Sequence, residues 1–556
     1  MKWKTIIKNP HIDYLLLFVF SFLFMAPLIA KGFLVRYSHQ DMAFHITRLY
    51  GLSNVWKSPI NFLNYTHNGP AVNLFYPWLL FYPAYLIFAL THSMFTAFML
   101  YYGLLTFLTM VIAYKVMISI KHQRLPGLLF ALFYGCAGYR VCCMSYRAAV
   151  GETIALTFLP LLLLGVYEIT RRDYHKWYIL TIGLLLIAYA HTLSFFMSSL
   201  LVGFSFLALL IPMKDRGERI FAFMKSMVFV ALMYLPLLFQ MIDQVTYVKL
   251  VMPFGYSAET LNLANSLVTS LRNFSDYNPY SLGLTVLVLG AISLLLIRKL
   301  NKPERIVLLG GVLLYLMTTD ITPWHYLNGT VFAKIQFAWR LTGYATLLIC
   351  FSGSILLSHL LKDHASLKPI VLLFMTCLVI GVHIAGIDHM GAIQLDDKTI
   401  YTDAFALRQA KYYENTDYIN MISDDYTKIY TKHVFRVNGK KTTIAHHQTA
   451  SAYTFDYENK TSKSVKVAVP VFFYRGQKVS INGAIVSSTM SRYGATQVTL
   501  SPGKNHVVIY YEYTSFVKMG WSIGTISALL FAYAMKRIKG KKDLTWYQVL
   551  HYLQGY

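Results

Sequence analysis

Long apolar runs recur along this 556-residue chain and constrain its fold more than any other feature. A helix needs roughly 17–25 apolar residues to cross the hydrocarbon core of a bilayer. Charged residues make up only 13% of the chain, against roughly 25% in a soluble domain. We therefore predict a polytopic α-helical membrane protein with about 12 spans. The predicted spans lie near residues 13–31, 95–114, 127–144, 153–170, 177–191, 193–212, 221–240, 281–297, 305–319, 337–360, 368–386 and 516–535.

The basic residues predict the orientation of these spans. Lys and Arg are enriched in cytoplasmic loops, and alternating spans that start inside place every strongly basic segment on that side. The chain is then a multi-pass membrane protein with both termini in the cytoplasm. The net charge of +25 follows from these loops and the tail, so we predict no nucleic-acid partner. The basic segments are 115–124, 171–176, 214–219, 298–305, 362–368 and 536–542.

One apolar stretch must not span the membrane if this orientation is to hold. Residues 71–90 contain Tyr76-Pro77 and Tyr82-Pro83, and proline disfavours the interior of a regular helix. We predict a juxtamembrane or re-entrant segment on the outer side.

The segment 387–515 differs from the rest of the chain. It is polar, it lacks a spanning run, and apolar residues alternate at 465–469 and 507–511, which is typical of strands. Asn482-Gly483 and Ser501-Pro-Gly503 predict hairpin turns. We predict three regions: a membrane module at 1–386, an extracytoplasmic β-rich, sandwich-like domain at 387–515, and a last span with a basic tail at 516–556.

Polar residues gather at the predicted outer ends of the spans. Asp41, His45 and Arg48 recur at the spacing of one helix face. They are candidates for a functional site, and the alternative is an interfacial helix with an internal ion pair.

Two further clusters lie at the same predicted depth. Arg140, Arg147 and Glu152 border apolar segments, where ionisable side chains are costly and usually functional. The alternative is an Arg147–Glu152 pair that only satisfies itself. Gln336 and Arg340 begin another span, and an arginine there also serves as an interfacial anchor.

Two histidines complete the candidates. His325 precedes Gln336 in a predicted outer loop, and His191 lies at a predicted outer turn. A lone histidine is also explained as a buried, hydrogen-bonded imidazole. Together, a carboxylate, several arginines and histidines on one side of the membrane suit a phosphorylated lipid, because the guanidinium fork matches phosphate oxygens.

Short motifs follow one another along the chain: Asp41-x-x-Phe44-His45-x-x-Arg48, Phe75-Tyr76-Pro77, Tyr139-Arg140, Arg147-Ala148-x-x-Gly151-Glu152 and Gln336-Phe337-x-Trp339-Arg340. In order and spacing they resemble the YfhO-like bacterial membrane proteins. These share features with the membrane proteins labelled "6-pyruvoyl-tetrahydropterin synthase-related", and both resemble glycosyltransferases of the GT-C type.

This resemblance implies a glycosyltransferase of the bacterial plasma membrane. It would move a sugar from a polyprenyl phosphate to an acceptor outside the cell, with inversion. The acceptor is a cell-wall polymer such as teichoic acid, a surface polysaccharide or a glycoprotein. Asp41 is expected to be the base, and the implied substrate-binding residues are His45, Arg48, Tyr76, Arg140, Arg147, Glu152, His191, His325, Gln336 and Arg340.

The sequence leaves three matters open. GT-C enzymes often carry a second acid beside the first, whereas His39-Gln40 precede Asp41 here, so no cofactor is certain and a divalent cation, Mg²⁺ or Mn²⁺, stays open. A flippase or transporter for a polyprenyl-linked glycan is an alternative function. A non-catalytic assembly protein for surface polysaccharide is another.

Overall fold

A computed structural model describes residues 10–30, 41–64, 67–252, 258–273, 280–393, 417–420 and 432–553. Most of these residues are helical, and a β-rich region precedes the last helix. The helices are α1 (Pro10–Ala30), α2 (Met42–Tyr50), α3 (Val72–Phe75), α4 (Tyr82–Thr91), α5 (Met94–Lys121), α6 (Arg124–Gly135), α7 (Gly138–Val141), α8 (Val150–Arg171), α9 (Tyr178–Ala188), α10 (Thr192–Leu210), α11 (Arg216–Val245), α12 (Leu263–Leu271), α13 (Leu284–Leu295), α14 (Lys302–Leu316), α15 (Thr342–Leu360), α16 (Leu367–Ile393) and α17 (Ser515–Leu553).

Several of these helices are long and apolar enough to cross a membrane, which confirms the membrane class. In the part of the chain that the structure describes, eight helices qualify, or nine if one bent pair is a single span. Three predicted spans correspond to shorter helices: α9 with 11 residues, α13 with 12 and α14 with 15. A regular helix of that length does not cross the hydrocarbon core alone, so the count of twelve stays a prediction.

The bent pair contains the predicted site residue Arg140 and ends directly before Arg147. Helix α6 ends at Gly135, and the chain bends by 42° before Gly138–Tyr146 continues it. Gly138 is required at the bend, because an added Cβ would lie 2.9 Å from the Cα of Gly283. A π-helix at Cys142–Tyr146 follows α7 directly.

The proline-containing stretch 71–90 forms no continuous helix. Helix α3 ends at Phe75, and α4 begins at Tyr82 and continues to Thr91. The stretch is interrupted at Tyr76-Pro77, as expected where proline removes a backbone donor. Its predicted position at the outer surface stays a prediction.

Contacts divide the chain into two units, each assembled from separate stretches of sequence. The first contains residues 1–49, 79–164 and 253–411, and the second contains 50–78, 165–252 and 412–556. The predicted site residues from Asp41 to Arg340 fall in the first unit, apart from Tyr76 and His191, which belong to the second.

The β-rich region belongs to the second unit and consists of two five-stranded antiparallel sheets. One sheet has the order β2-β1-β5-β9-β8 and the other β3-β4-β10-β6-β7. The strands are β1 (Phe435–Val437), β2 (Lys440–Thr442), β3 (His446–Gln448), β4 (Ala452–Asn459), β5 (Val465–Phe472), β6 (Gln477–Ile481), β7 (Ala484–Val486), β8 (Thr489–Met490), β9 (Ala495–Leu500) and β10 (Gly503–Tyr511).

One of the two predicted hairpins is present, and the prediction of the other is wrong. Asn482 and Gly483, with φ of 52° and 86°, join the antiparallel neighbours β6 and β7. Both residues take the positive φ that a tight hairpin turn needs. The segment Ser501-Pro-Gly503 instead leads from β9 in one sheet to β10 in the other. A turn signal reports a reversal of the chain and not the strand that is paired afterwards.

The core of the sandwich includes residues from distant parts of the sequence. Inward-facing side chains of both sheets, such as Val467 and Ile509, are fully buried. Phe62 and Leu74, from the stretch before α4, belong to the same apolar cluster, as does Leu250 after α11. Burial of such side chains contributes about 1.5–3 kcal/mol each, so these loops are part of the β-rich fold.

Candidate functional site

The first unit brings together residues from three separate stretches of sequence. Asp41 directly precedes α2, and its backbone N–H donates to the carbonyl oxygen of Arg147 at 3.1 Å. The backbone N–H of His45 donates to the carbonyl oxygen of Asp41 at 2.9 Å, which starts the helix. The backbone thus fixes Asp41 beside the turn that carries Arg147.

Glu152 is the centre of this cluster. Its Oε2 accepts from Nη1 of Arg147 at 2.7 Å, and its Oε1 accepts from the hydroxyl of Tyr139 at 2.5 Å. Arg340 adds a second cation, with Nε 3.8 Å from Oε2 of Glu152. That distance makes an ion pair but not a hydrogen bond. One buried carboxylate therefore holds two arginines from different stretches of the chain.

Aromatic rings support the two arginines. The guanidinium carbon of Arg147 lies 4.4 Å from the ring centroid of Trp339, and that of Arg340 lies 4.9 Å from Phe337. Tyr280 stacks on Trp339 at 4.0 Å. A cation over an aromatic face gains about 0.5–2 kcal/mol and loses freedom of movement. The rings hold both guanidinium groups in place.

The carboxyl group of Asp41 experiences all three charges of this cluster. Burial raises its pKa above the ordinary value of 3.8, Arg147 and Arg340 oppose that shift, and Glu152 adds to it. A buried carboxylate that stays near two arginines but is not fully stabilised by them is a better proton acceptor than an exposed one. The sequence-predicted base thus lies in an environment suited to that role.

The backbone is strained at two points of the cluster. Ala148 has a φ of 50° beside Arg147. Gln336 has φ 66° and ψ −52°, and the N–H of Phe337 donates to the carbonyl of Ile335 at 2.8 Å, which is the rare γ-turn with positive φ. Such conformations cost about 1–3 kcal/mol each and cluster at functional sites.

Gln336 contributes directly to the position of Arg340. Its Oε1 accepts from Nη1 of Arg340 at 2.9 Å, and the carbonyl of Ile335 accepts from the same nitrogen at 3.1 Å. The strained turn is held by Glu259, whose N–H donates to the carbonyl of Gln336 at 2.8 Å. The turn therefore places two acceptors, the side-chain oxygen of Gln336 and the carbonyl oxygen of Ile335, against the guanidinium group of Arg340.

His45 and Arg48 form a neighbouring buried pair on α2. Nη1 of Arg48 lies 3.2 Å from Nδ1 of His45, and both side chains are almost fully buried. The guanidinium carbon of Arg48 lies 5.5 Å from the ring of Phe81 and 5.7 Å from that of Phe44. The predicted common face of α2 is present, and it places a third arginine, which is buried, about two turns beyond Asp41.

Arg140 lies deeper than the arginines of the cluster. It is 1% exposed, its Nη1 lies 3.5 Å from the hydroxyl of Thr157, and its Nη2 lies 4.0 Å from the sulfur of Met144. Thr157 is five residues beyond Glu152 on α8, about 7.5 Å along the helix axis. Arg140 is therefore separate from the group around Asp41.

The remaining predicted residues lie elsewhere. Tyr76 and His191 both belong to the second unit, where their ring centroids are 5.6 Å apart. His191 also caps α10, because its Nδ1 accepts from the N–H of Ser194 at 3.3 Å. His325 is exposed and its ring lies 4.1 Å from that of Tyr326, so its contacts are away from the group around Asp41.

Tyr139 and Trp339 also belong to the group around Asp41, although they enter the sequence prediction only as members of motifs and not as site residues. Neither is charged, and their roles become clear from their contacts with Glu152 and Arg147. No group of three or more His, Cys, Asp or Glu is placed to hold a metal ion among the residues with described positions. The question of a divalent cation stays open.

Comparison with known proteins adds no family to this description. No family model matches the chain, and no curated protein matches it.

Proposed function

We propose that this protein is a membrane glycosyltransferase that takes a sugar from a polyprenyl phosphate and transfers it, with inversion, to an extracytoplasmic acceptor. The observation that carries the proposal is the position of Asp41 next to Arg147 and Arg340, with Glu152 between the two arginines. A base and fixed cations in one buried group are what transfer from a lipid phosphate requires. The YfhO-like pattern of motifs supports the same reaction.

The reaction needs one proton transfer and one displacement. The hydroxyl oxygen of the acceptor attacks the anomeric carbon while Asp41 accepts the hydroxyl proton. The bond between the anomeric carbon and the phosphate oxygen breaks, and the phosphate leaves with the electron pair. A single displacement inverts the anomeric centre, and one carboxylate at the point of attack is sufficient.

The arginines stabilise the leaving phosphate. Negative charge builds on the phosphate as the bond breaks, and fixed guanidinium groups lower the energy of that state more than that of the bound substrate. Arg147 and Arg340 are already held by Glu152 and by aromatic rings, so they need little rearrangement. The phosphate also raises the pKa of Asp41 and so makes it a stronger base.

Analysis of the cell envelope of the source bacterium tests this proposal. Four strains are compared: wild type, a deletion, and the deletion complemented with Asp41→Asn or with Asp320→Asn. Asp320 is an exposed aspartate in the same unit, bonded to Asn262 at 2.7 Å, and serves as the matched control. We expect a sugar modification to be lost in the deletion, restored by Asp320→Asn and not restored by normally expressed Asp41→Asn.

The opposite result would favour the two alternatives. A transporter or an assembly protein does not need a proton acceptor, so restoration by Asp41→Asn would exclude the role of Asp41 as base. Incubation of the purified protein with a polyprenyl-phosphate sugar and acceptor then distinguishes a transferase from a transporter or an assembly protein. Only a transferase consumes the donor.

A further inference from the structure

The β-rich region carries an unbalanced charge. Residues 432–511, all of which the structure describes, contain eight lysines and three arginines but only two acids, Asp456 and Glu458. Both acids are on β4, where Asp456 is bonded to His506 at 2.7 Å and Glu458 lies opposite Lys504. The acids therefore belong to one sheet, and they are compensated there.

The other sheet presents basic residues without acids. Its strands, β2-β1-β5-β9-β8, contain Arg436, Lys440, Lys441 and Lys466 and no Asp or Glu. Lys441 lies directly opposite Arg436, so both project from the same face. Lys466 alternates with the buried Val465 and Val467 and projects outward as well. We call the exposed side chains of Lys441, Lys466 and Arg492 the basic face.

Arg492 of the basic face shares an aromatic ring with Arg436, which is itself buried. The guanidinium carbon of Arg436 lies 4.3 Å from the ring centroid of Tyr493, and that of Arg492 lies 4.7 Å from it. Ala468 is the neighbour of Arg436 on β5 and leaves room on the sheet for the longer side chain. Stacking of this kind fixes the planar forks that bind phosphate in a bidentate manner.

The surface is polar rather than apolar. This favours a soluble polymer over a lipid bilayer as the anionic partner. Among residues 432–511, only Ile485 and Met490 are exposed large apolar side chains, and neither belongs to the basic face. A surface that inserts into a bilayer combines basic residues with several exposed apolar ones. The basic face is positively charged but has no exposed apolar side chains, as expected of a surface that binds a soluble polymer.

We propose that the basic face binds a linear, phosphate-bearing polymer through Arg492, Lys466 and Lys441. The charge is spread over several neighbouring strands about 4.8 Å apart, so one phosphate cannot engage all of it, whereas successive phosphates of a chain can. This binding stands apart from the proposed transferase reaction and does not require it.

Binding of medium-chain inorganic polyphosphate to the full-length protein in neutral-lipid nanodiscs tests the proposal. We compare the wild type with Lys466→Gln/Arg492→Gln and with a control, Lys478→Gln/Lys504→Gln, which removes the same charge from the other sheet. All four side chains are exposed, so all variants are expected to fold. Affinity is measured between 50 and 200 mM salt, since counterion release gives a slope that counts phosphate contacts.

We expect the basic-face variant to bind at least about tenfold more weakly, with a salt slope smaller by roughly 0.7 for each lost contact. The control is expected to retain nearly the wild-type affinity and slope. Equal losses in both variants would mean that only net charge matters and would overturn the proposal. Tighter binding of phosphatidylglycerol vesicles than of polyphosphate would overturn it in favour of a membrane surface.

The arginine forks have a test of their own. Arg492→Lys keeps the charge but removes the planar fork, and a lysine does not replace bidentate contacts. We expect Arg492→Lys to bind polyphosphate more weakly than the wild type, but more tightly than Arg492→Gln, which loses the charge as well. Wild-type binding of polyphosphate by Arg492→Lys would contradict the contribution of the fork.

Discussion

Replacement of Glu152 by glutamine tests whether this carboxylate holds the site together. Glu152 is 2.7 Å from Arg147 and 3.8 Å from Arg340, and at an effective dielectric constant of about 20 these attractions are about 6 and 4 kcal/mol. Desolvation offsets much of that gain, and loss of one partner from a buried pair typically costs about 3–5 kcal/mol. Glu152 serves two arginines, whereas Asp41 still offsets part of their charge, so we expect Glu152→Gln to cost about 4 kcal/mol, the middle of that range. Tyr139→Phe removes only one hydrogen bond to a charged group and is expected to cost about 1.5–3 kcal/mol.

Buried cysteines provide the assay. Cys142 and Cys143 lie in the π-helix just before Arg147 and are fully buried, whereas Cys377 is exposed. In a Cys377→Ser background, a thiol-reactive dye reports thermal or denaturant unfolding of the detergent-solubilised protein. Glu152→Gln should unfold at a lower temperature than Tyr139→Phe. If the two variants are equally stable, Glu152 does not neutralise two arginines and the electrostatic reasoning fails.

Three further predictions follow from the same contacts. Asp41 must be ionised to act as a base and its pKa is raised, so the transfer rate should increase with pH through a midpoint above 3.8. Arg340 lowers this pKa and Glu152 raises it. Arg340→Gln should therefore move the midpoint up, and Glu152→Gln should move it down. Gln336→Gly relieves a positive φ that costs about 1–3 kcal/mol but removes a hydrogen bond to Arg340 worth about 1.5–3 kcal/mol. The unfolding temperature in the dye assay should therefore change little, whereas the transfer rate should fall because Arg340 loses an acceptor. Gly138→Ala should destabilise the protein by at least about 1–3 kcal/mol through overpacking, and an unchanged unfolding temperature would show that the bend tolerates a side chain.

Much of the architecture could be predicted because lipid imposes simple demands on a sequence. Apolar length indicates helices such as α1 and α5, and alternation indicates strands such as β5. The signal is weaker where helices are short. The sequence predicts spans at 177–191 and 281–297, but the apolar helices found there, α9 and α13, are shorter than a membrane span. Strand pairing was also beyond the sequence, since a turn at Ser501-Pro-Gly503 fits a hairpin and a crossover between sheets equally well.

The candidate site was predictable where charge was the signal. Asp41, Arg147, Glu152 and Arg340 stood out because ionisable residues are costly beside apolar segments, and the structure places them together. Their partners were not predictable, because a tyrosine or tryptophan next to a span has many ordinary reasons to be there. Tyr139 gains its meaning only from Glu152, which is 13 residues away in the sequence.

The shared core of the sandwich has a consequence for how the protein is made. Asn54 bonds to the carbonyl of Ala450 at 2.8 Å across 396 residues, and Phe62 packs among the strands of the β-rich region. At about 5–20 residues per second, the ribosome needs roughly 20–80 s to supply those partners. During that interval the apolar side chains of the early segment lack their packing partners. We expect the bilayer surface or a chaperone to cover them. Expression of the strands alone would leave a gap in their core where Phe62 packs. The β-rich region is therefore completed only when both the early segment and the strands have been translated.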